Sequence, residues 1–359
     1  MSPSVFTLIC SFVLFSVLCG HINTQNTDCE CVPYYLCDNG TINTNGENVI
    51  DIRIREDDCT YLEICCQAKD VLEEPSIRAP DIPKKKACGY RNPDGVGYRI
   101  SGDFDNEAQF GEFPWVTAIL HKGPNDVKHA YKCGGTLIHP QVVLTTAHCI
   151  ANGNSFVVRV GEWDTKTTQE FLKHQERKVV SAVLHRDYKP RLLHNDMALL
   201  FLESPVNLTE HINVACLPPK DSVVLSSECF VSGWGKDKFE SDGVYQNILK
   251  KIELPVVERG KCQRDFRKTR LGRHFALHRS FMCAGGQEGK DACTGDGGAP
   301  LVCPIPDQED RYQVVGMVAW GIGCGTEGVP GAYADVAYLR NWVDEQMNKR
   351  KYGVDSYRF

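Results

Sequence analysis

Residues 293–300 read Cys-Thr-Gly-Asp-Gly-Gly-Ala-Pro, and Leu301, Val302 and Cys303 follow. Gly297, in the middle of this run, offers no side chain that could attack a substrate, and no serine occurs between Ser280 and Ser356. Upstream lie the two other residue types that nucleophilic hydrolysis uses: a histidine to take a proton and a carboxylate to orient it. His148 stands in Leu144-Thr-Thr-Ala-His-Cys149, and Asp196 stands in Asn195-Asp-Met-Ala-Leu-Leu200. Taken alone, a histidine beside a cysteine reads as a core or surface residue. An aspartate before an apolar run reads equally well as a turn residue.

A chain of 359 residues is long for one average domain and suggests one large domain with a smaller module. The apolar run from Val5 to Phe15, followed by small residues near Cys19 and Gly20, reads as a signal peptide over 1–20 and hence as secretion. It lacks a basic n-region, and it is too short to read as a membrane span. Of 18 cysteines, two fall in that segment, six lie between Cys29 and Cys66, and ten lie from Cys88 onward. In an extracellular chain such numbers read as disulfides, and the absence of any Cys-x-x-Cys pair argues against zinc. The formal net charge of −6 points to no nucleic-acid partner. Asn39-Gly-Thr41 and Asn207-Leu-Thr209 are acceptor sequons for glycosylation.

Three segments follow the presumed signal. Residues 29–66 are too few to bury a sufficient core, so three bridges must hold them, with fifteen pairings open to six cysteines. Residues 67–99, with Pro75, Pro80, Pro83, Pro93 and the Lys84-Lys85-Lys86 run, read as a protease-accessible linker. From residue 100 to 359, short β-branched runs alternate with turn residues, which indicates an all-β barrel or sandwich. Leu339, Trp342, Val343 and Met347 recur at helical spacing and predict one amphipathic C-terminal helix.

The six-cysteine segment, ending in the vicinal pair Cys65-Cys66, resembles the clip domain of arthropod haemolymph proteases. That resemblance implies the pairing Cys29–Cys65, Cys31–Cys59 and Cys37–Cys66. The large segment resembles the chymotrypsin-fold, trypsin-like serine proteases, a double β-barrel with a C-terminal helix. The matching landmarks are Gly111-Glu-Phe-Pro-Trp115, Cys133-Gly-Gly-Thr-Leu-Ile138, the His148 and Asp196 motifs, Gly233-Trp-Gly235 and the 293–303 loop. It implies bridges Cys88–Cys216, Cys133–Cys149, Cys229–Cys303, Cys262–Cys283 and Cys293–Cys324. It also implies a vestigial triad of His148, Asp196 and Gly297, with the glycine in the nucleophile's place. Asp291, Gly321 and Gly331 match a specificity pocket for basic side chains, and Glu162 and Glu176 match the ends of a structural Ca2+ loop. No cofactor for catalysis is implied.

Departures from the pattern accumulate at the chemistry. Besides Gly297, Ala319 stands where the family has a serine before Trp-Gly, and the candidate activation bond Arg99–Ile100 lies two residues early relative to Gly111. A clip domain before a protease domain without its nucleophile resembles the clip-domain serine protease homologues of insects. Such resemblance implies a secreted haemolymph cofactor for prophenoloxidase activation in melanization. An upstream protease would process it, phenoloxidase or its precursor would be its partner, and a homo-oligomer would form after cleavage, with neither membrane nor nucleic acid involved. An adhesion or microbial pattern-recognition role, and a hydrolase with an unconventional nucleophile, stay open as alternatives.

Overall fold

The computed structural model describes residues 29–33, 63–67, 69, 87–97, 106–122, 129–153, 155–166, 170–236, 245–289, 295–323 and 325–359. The 1–20 segment, most of the linker, Asn39, Cys37, Cys59, Arg99–Ile100, Asp291 and the Cys293–Cys324 pair lie outside the described residues. The chain divides into two compact units, 1–42 with 50–76 and 43–49 with 77–359. In the first, strands β1 (Cys29–Pro33) and β2 (Glu63–Gln67) pair antiparallel, with Cys31 opposite Cys65 and Glu30 opposite Cys66.

The second unit is built on two antiparallel sheets. Strands β3 (Val116–Lys122), β4 (His129–His139), β5 (Val142–Thr145), β6 (Phe156–Val160), β7 (Gln175–Leu184) and β8 (Ala198–Leu202) close into a barrel in the order β3-β4-β5-β8-β7-β6. Strands β9 (Cys229–Gly233), β10 (Lys250–Leu254), β11 (Val256–Val257), β12 (Phe281–Gly285), β13 (Pro300–Pro304), β14 (Tyr312–Trp320) and β15 (Pro330–Asp335) form the other sheet, ordered β10-β9-β13-β14-β15-β12-β11. The apolar run of β5 and every residue of β8 are buried, as expected of strands that pass through a barrel core. By contrast, β7 alternates exposed and half-buried positions, the period-2 signature of a strand with one face in water.

Among the described residues, three α-helices complete the unit: α1 (Ala147–Ile150), α2 (Arg259–Arg267) and α3 (Val336–Lys349). α3 is the helix expected from the sequence. Its N-cap Asp335 accepts a bond from Tyr338 N, and it buries Leu339, Trp342, Val343 and Met347. α2 goes beyond the single helix expected. Only Cys262, Asp265 and Phe266 of it are buried, an apolar stripe too narrow to register as a 3.6-residue period.

Among the described residues, four disulfides tie this unit together: Cys88–Cys216, Cys133–Cys149, Cys229–Cys303 and Cys262–Cys283. The first spans 128 residues, and closing so long a loop in the unfolded chain is worth about 5 kcal/mol in the chain-entropy model. It fastens residues 87–97 to the large unit. Arg91 reinforces the attachment by donating through Nε to the wholly buried Glu112 (3.0 Å) while its guanidinium lies 4.4 Å from the Phe230 ring. After cleavage at Arg99, the N-terminal piece should therefore stay attached on non-reducing electrophoresis and separate only on reduction. Separation without reductant would contradict the Cys88–Cys216 bond.

His139, His185, His194, His211 and His278 are all held below the ordinary histidine range, in each case first by burial. Their contribution to stability is complete above the unfolded value, about 6.5, and is lost as pH falls through it, because the unfolded chain takes up protons that the folded chain refuses. His211, stacked on Phe110 and bonded to Thr209 Oγ1 at 2.9 Å, is buried and isolates the effect. The fall in Tm between pH 7.5 and 5.5 should be smaller in His211→Gln than in the parent chain. An equal fall would refute the assignment.

Candidate functional site

The register of β5 against β8 sets Thr145 opposite Ala198, so the residues just beyond that pair, His148 and Asp196, emerge side by side. α1 carries His148, and the Cys133–Cys149 bridge clamps that short helix to β4. Asp196 is fully buried and receives two bonds from the same residue: His148 N at 2.8 Å and His148 Nδ1 at 2.6 Å. A carboxylate placed in this way fixes the orientation of the ring and directs Nε2 away from Asp196.

Nε2 faces Gly297. A Cβ placed on Gly297 would lie 2.7 Å from His148 Nε2, 3.3 Å from Cε1 and 3.6 Å from Cys133 Sγ. No real Cβ sits as close as the first of these distances, so the imidazole fills room that any side chain at 297 would need. Nε2 also lies 3.6 Å from Cys149 Sγ, but both neighbouring sulfurs belong to a disulfide and supply no thiolate for a metal.

The backbone of the loop is held from both sheets. Gly134 N donates to Gly297 O (2.9 Å), Gly298 N donates to Val318 O (2.9 Å), and Val318 N donates to Ala299 O (2.9 Å). Gly298 is at φ +76°, where a Cβ would meet Gly134 O at 2.5 Å, so glycine is required there. Asp296 is turned inward, with Oδ1 accepting from Gly235 N at 2.9 Å, and Gly233 and Gly235 leave it room. Burial, and after it the Asp296 charge, hold the Tyr131 phenol well above its ordinary value. Ala319 lies in β14 at a register irregularity between Val318 and Trp320.

Of the other predicted site residues, Gly331 is buried in β15 opposite Ala284, and Gly321 is exposed just beyond β14. Asn207 is exposed. The expected Ca2+ pair has a cation of the chain's own beside it. Arg159 donates to Glu162 Oε2 from Nη1 at 2.6 Å and to Glu176 Oε1 from Nη2 at 2.7 Å, so a guanidinium occupies the place between the two carboxylates. Burial and then the Glu170 carboxyl push Glu162 up to about 8. Arg159 thus engages both expected ligands, while ligand atoms of Glu162, Glu170 and His174 lie within 4.8 Å of one another. With Arg159 bonded to both carboxylates, EDTA should leave the Tm of the protein unchanged, and a fall on chelation would support the calcium expectation.

The half-buried His148 on its buried Asp196, the clamping disulfide and the glycine loop that both sheets hold form one arrangement, and comparison with known proteins gives it a lineage. The trypsin family matches residues 104–343, which is most of the chain. The chain belongs to the trypsin family. In this trypsin homologue a second family, "Serine protease Clip domain PPAF-2", matches residues 20–67. Phenoloxidase-activating factor 2 of Galleria mellonella is 51% identical over 288 residues, 77% of this chain and 95% of the relative. Inactive CLIP domain-containing serine protease A8 of Anopheles gambiae is 38% identical over 322 residues, 88% of this trypsin homologue and 87% of the relative. Serine proteinase stubble of Drosophila melanogaster is 31% identical over 266 residues, 73% of this chain but 33% of its own length. Two further relatives besides the A8 protein carry the word inactive in their names, and two relatives are named phenoloxidase-activating factors. Clip and trypsin segments in one disulfide-bonded chain fit an extracellular protein, and no described helix is long and apolar enough to cross a membrane.

Proposed function

We propose that the protein is a non-catalytic, clip-domain cofactor of prophenoloxidase activation in insect haemolymph, brought into action by a cut at Arg99–Ile100. The observation that carries this reading is Gly297 facing His148 Nε2, with a Cβ position 2.7 Å from the ring nitrogen. The base and its orienting carboxylate persist, but the place of the nucleophile holds no hydroxyl. Loss of the nucleophile alone costs about a million-fold in turnover of a serine protease, and what an oxyanion hole and binding leave behind does not make a useful protease. The name of the Galleria mellonella relative supports the choice of pathway.

In this reading the chain works by binding. Cleavage changes how the clip segment is presented, the cut form engages prophenoloxidase or phenoloxidase, and copies of it assemble. The two pieces stay joined through Cys88–Cys216. Reconstitution tests it: cleaved chain, uncleaved chain or neither is added to prophenoloxidase and its activating protease. Phenoloxidase activity should rise with the cleaved form only. Equal activity with both forms would end the cofactor reading, and capture by microbial polysaccharide without capture by prophenoloxidase would favour an adhesion role.

A further inference from the structure

The net charge of −6 conceals a strongly basic segment. Residues 259–279 contain Arg259, Lys261, Arg264, Arg267, Lys268, Arg270, Arg273 and Arg279 against the single acid Asp265, a segment charge of +7 with histidine neutral. The remainder of the chain therefore carries −13, the difference between −6 and +7. All eight basic residues are exposed. Asp265 is nearly buried and is spent on two of them, bonding Lys261 and Lys268 at 2.7 Å each. Glu258, the N-cap of α2, is the adjoining carboxylate, and its oxygens are taken by Gly260 N and Lys261 N.

The array stands on a rigid base. Cys262 is bridged to Cys283 in β12, and Phe266 stacks on Trp320 at 4.9 Å between ring centroids. Arg259 is pinned to the carbonyls of Phe281 and Leu277, and Arg267 to that of Phe275 at 2.8 Å. Arg264 and Arg270 make no hydrogen bond or salt bridge among the described residues, although both are exposed. A second loop adds to the array. His194 stacks on His278 at 3.9 Å, which brings the exposed Lys189 and Arg191 loop alongside. His278 is lowered first by burial and then by His194, Arg259, Lys189 and Arg279, so cations from two separate segments converge on it.

We propose that the face formed by α2, the following 268–279 segment and the 189–194 loop binds a linear sulfated polysaccharide. Six of the eight basic residues are arginines, whose planar fork matches tetrahedral oxyanions with paired hydrogen bonds. α2 alone runs about 13 Å, and the basic residues continue beyond it, a shape that suits a polymer better than a single ion. The disulfide framework fits the extracellular side, where the negative surface potential of the cytoplasmic leaflet is absent, so a membrane is the poorer match. Short Lys/Arg-rich runs such as Arg267-Lys-Thr-Arg270 are a recognised form of heparin-binding patch. Such a surface goes beyond the cofactor role, because it involves neither the cleft nor the clip segment.

Binding of the full-length protein to fluorescein-labelled heparin, followed by anisotropy across a salt series, tests the proposal. The double variant Arg264→Glu/Arg270→Glu should bind about tenfold more weakly at 0.15 M salt and show a shallower salt dependence, as fewer counterions are released. Neither side chain makes a described bond, and Tm measured alongside checks that the variant is folded. Lys220→Glu/Lys349→Glu, with the same charge change elsewhere, should bind as the parent does. Equal affinity for the two double variants would overturn the site. Tighter binding of the parent to phosphatidylserine vesicles or to poly(glycerol phosphate) teichoic acid than to heparin would overturn the sulfated ligand.

Discussion

Gly297→Ser should not become a working protease: after cleavage at Arg99, turnover of an arginyl amide substrate should stay far below that of an intact trypsin. The reason is steric before it is chemical. The new Cβ would sit 2.7 Å from His148 Nε2, so the ring must swing away, and swinging strains both of its bonds to Asp196. A displacement of about 1 Å from the productive geometry costs on the order of 10²-fold, and loss of the orienting carboxylate's function costs about 10⁴-fold. Ala319, next to Val318 that bonds the loop, offers no hydroxyl either. The same crowding has a readout without activity. Gly297→Ala should destabilise the protein by about 1–3 kcal/mol, the usual cost of overpacking. In His148→Gly the same alanine should cost little, an interaction that a double-mutant cycle measures directly. Strictly additive costs, or robust proteolysis by Gly297→Ser, would mean that His148 does not occupy the vacated space.

Gly298→Ala should have the largest effect on stability. Its φ of +76° is left-handed, which costs a residue with a Cβ roughly 1–2 kcal/mol. The new carbon would also lie 2.4 Å from Thr145 Oγ1 and 2.5 Å from Gly134 O. Neither neighbour can yield easily, since Thr145 Oγ1 already donates to Gly134 O at 2.9 Å and Gly134 is paired with Ala118 in the barrel. Together these place the change among the rare substitutions costing more than about 4 kcal/mol, a fall in Tm of about 10 °C or more, or failure to be secreted. A fall of only a few degrees would show that the loop relaxes far more readily than the bonding of its backbone to both sheets implies.

Much of the site was legible because the motifs are local in sequence and ordered along the chain. His148 within Thr-Thr-Ala-His-Cys149, Asp196 before an apolar run and the glycine loop can each be read as short strings. The surroundings of the expected metal pair were illegible for a through-space reason. Arg159 is three residues before Glu162 and seventeen before Glu176, and only the pairing of β6 with β7 sets it across from Glu176. α2 went unread because its exposed arc is cationic almost all round, so propensity had no apolar period to report. The basic face escaped a whole-chain charge sum for a similar reason, since addition discards position.

The amino-acid sequence by itself determined which atoms exist: a glycine at 297, a histidine and an aspartate upstream, and paired cysteines enough for a crosslinked extracellular fold. Covalent identity settles such matters, because a hydroxyl that is absent from the chain cannot be supplied by folding. Tertiary structure alone decided what fills the gap. The β5–β8 register and the Cys133–Cys149 clamp place the imidazole against Gly297, and strand pairing places Arg159 between two carboxylates. Packing and electrostatics act on distance through space, and residues far apart in the chain acquire that distance only when the barrels close.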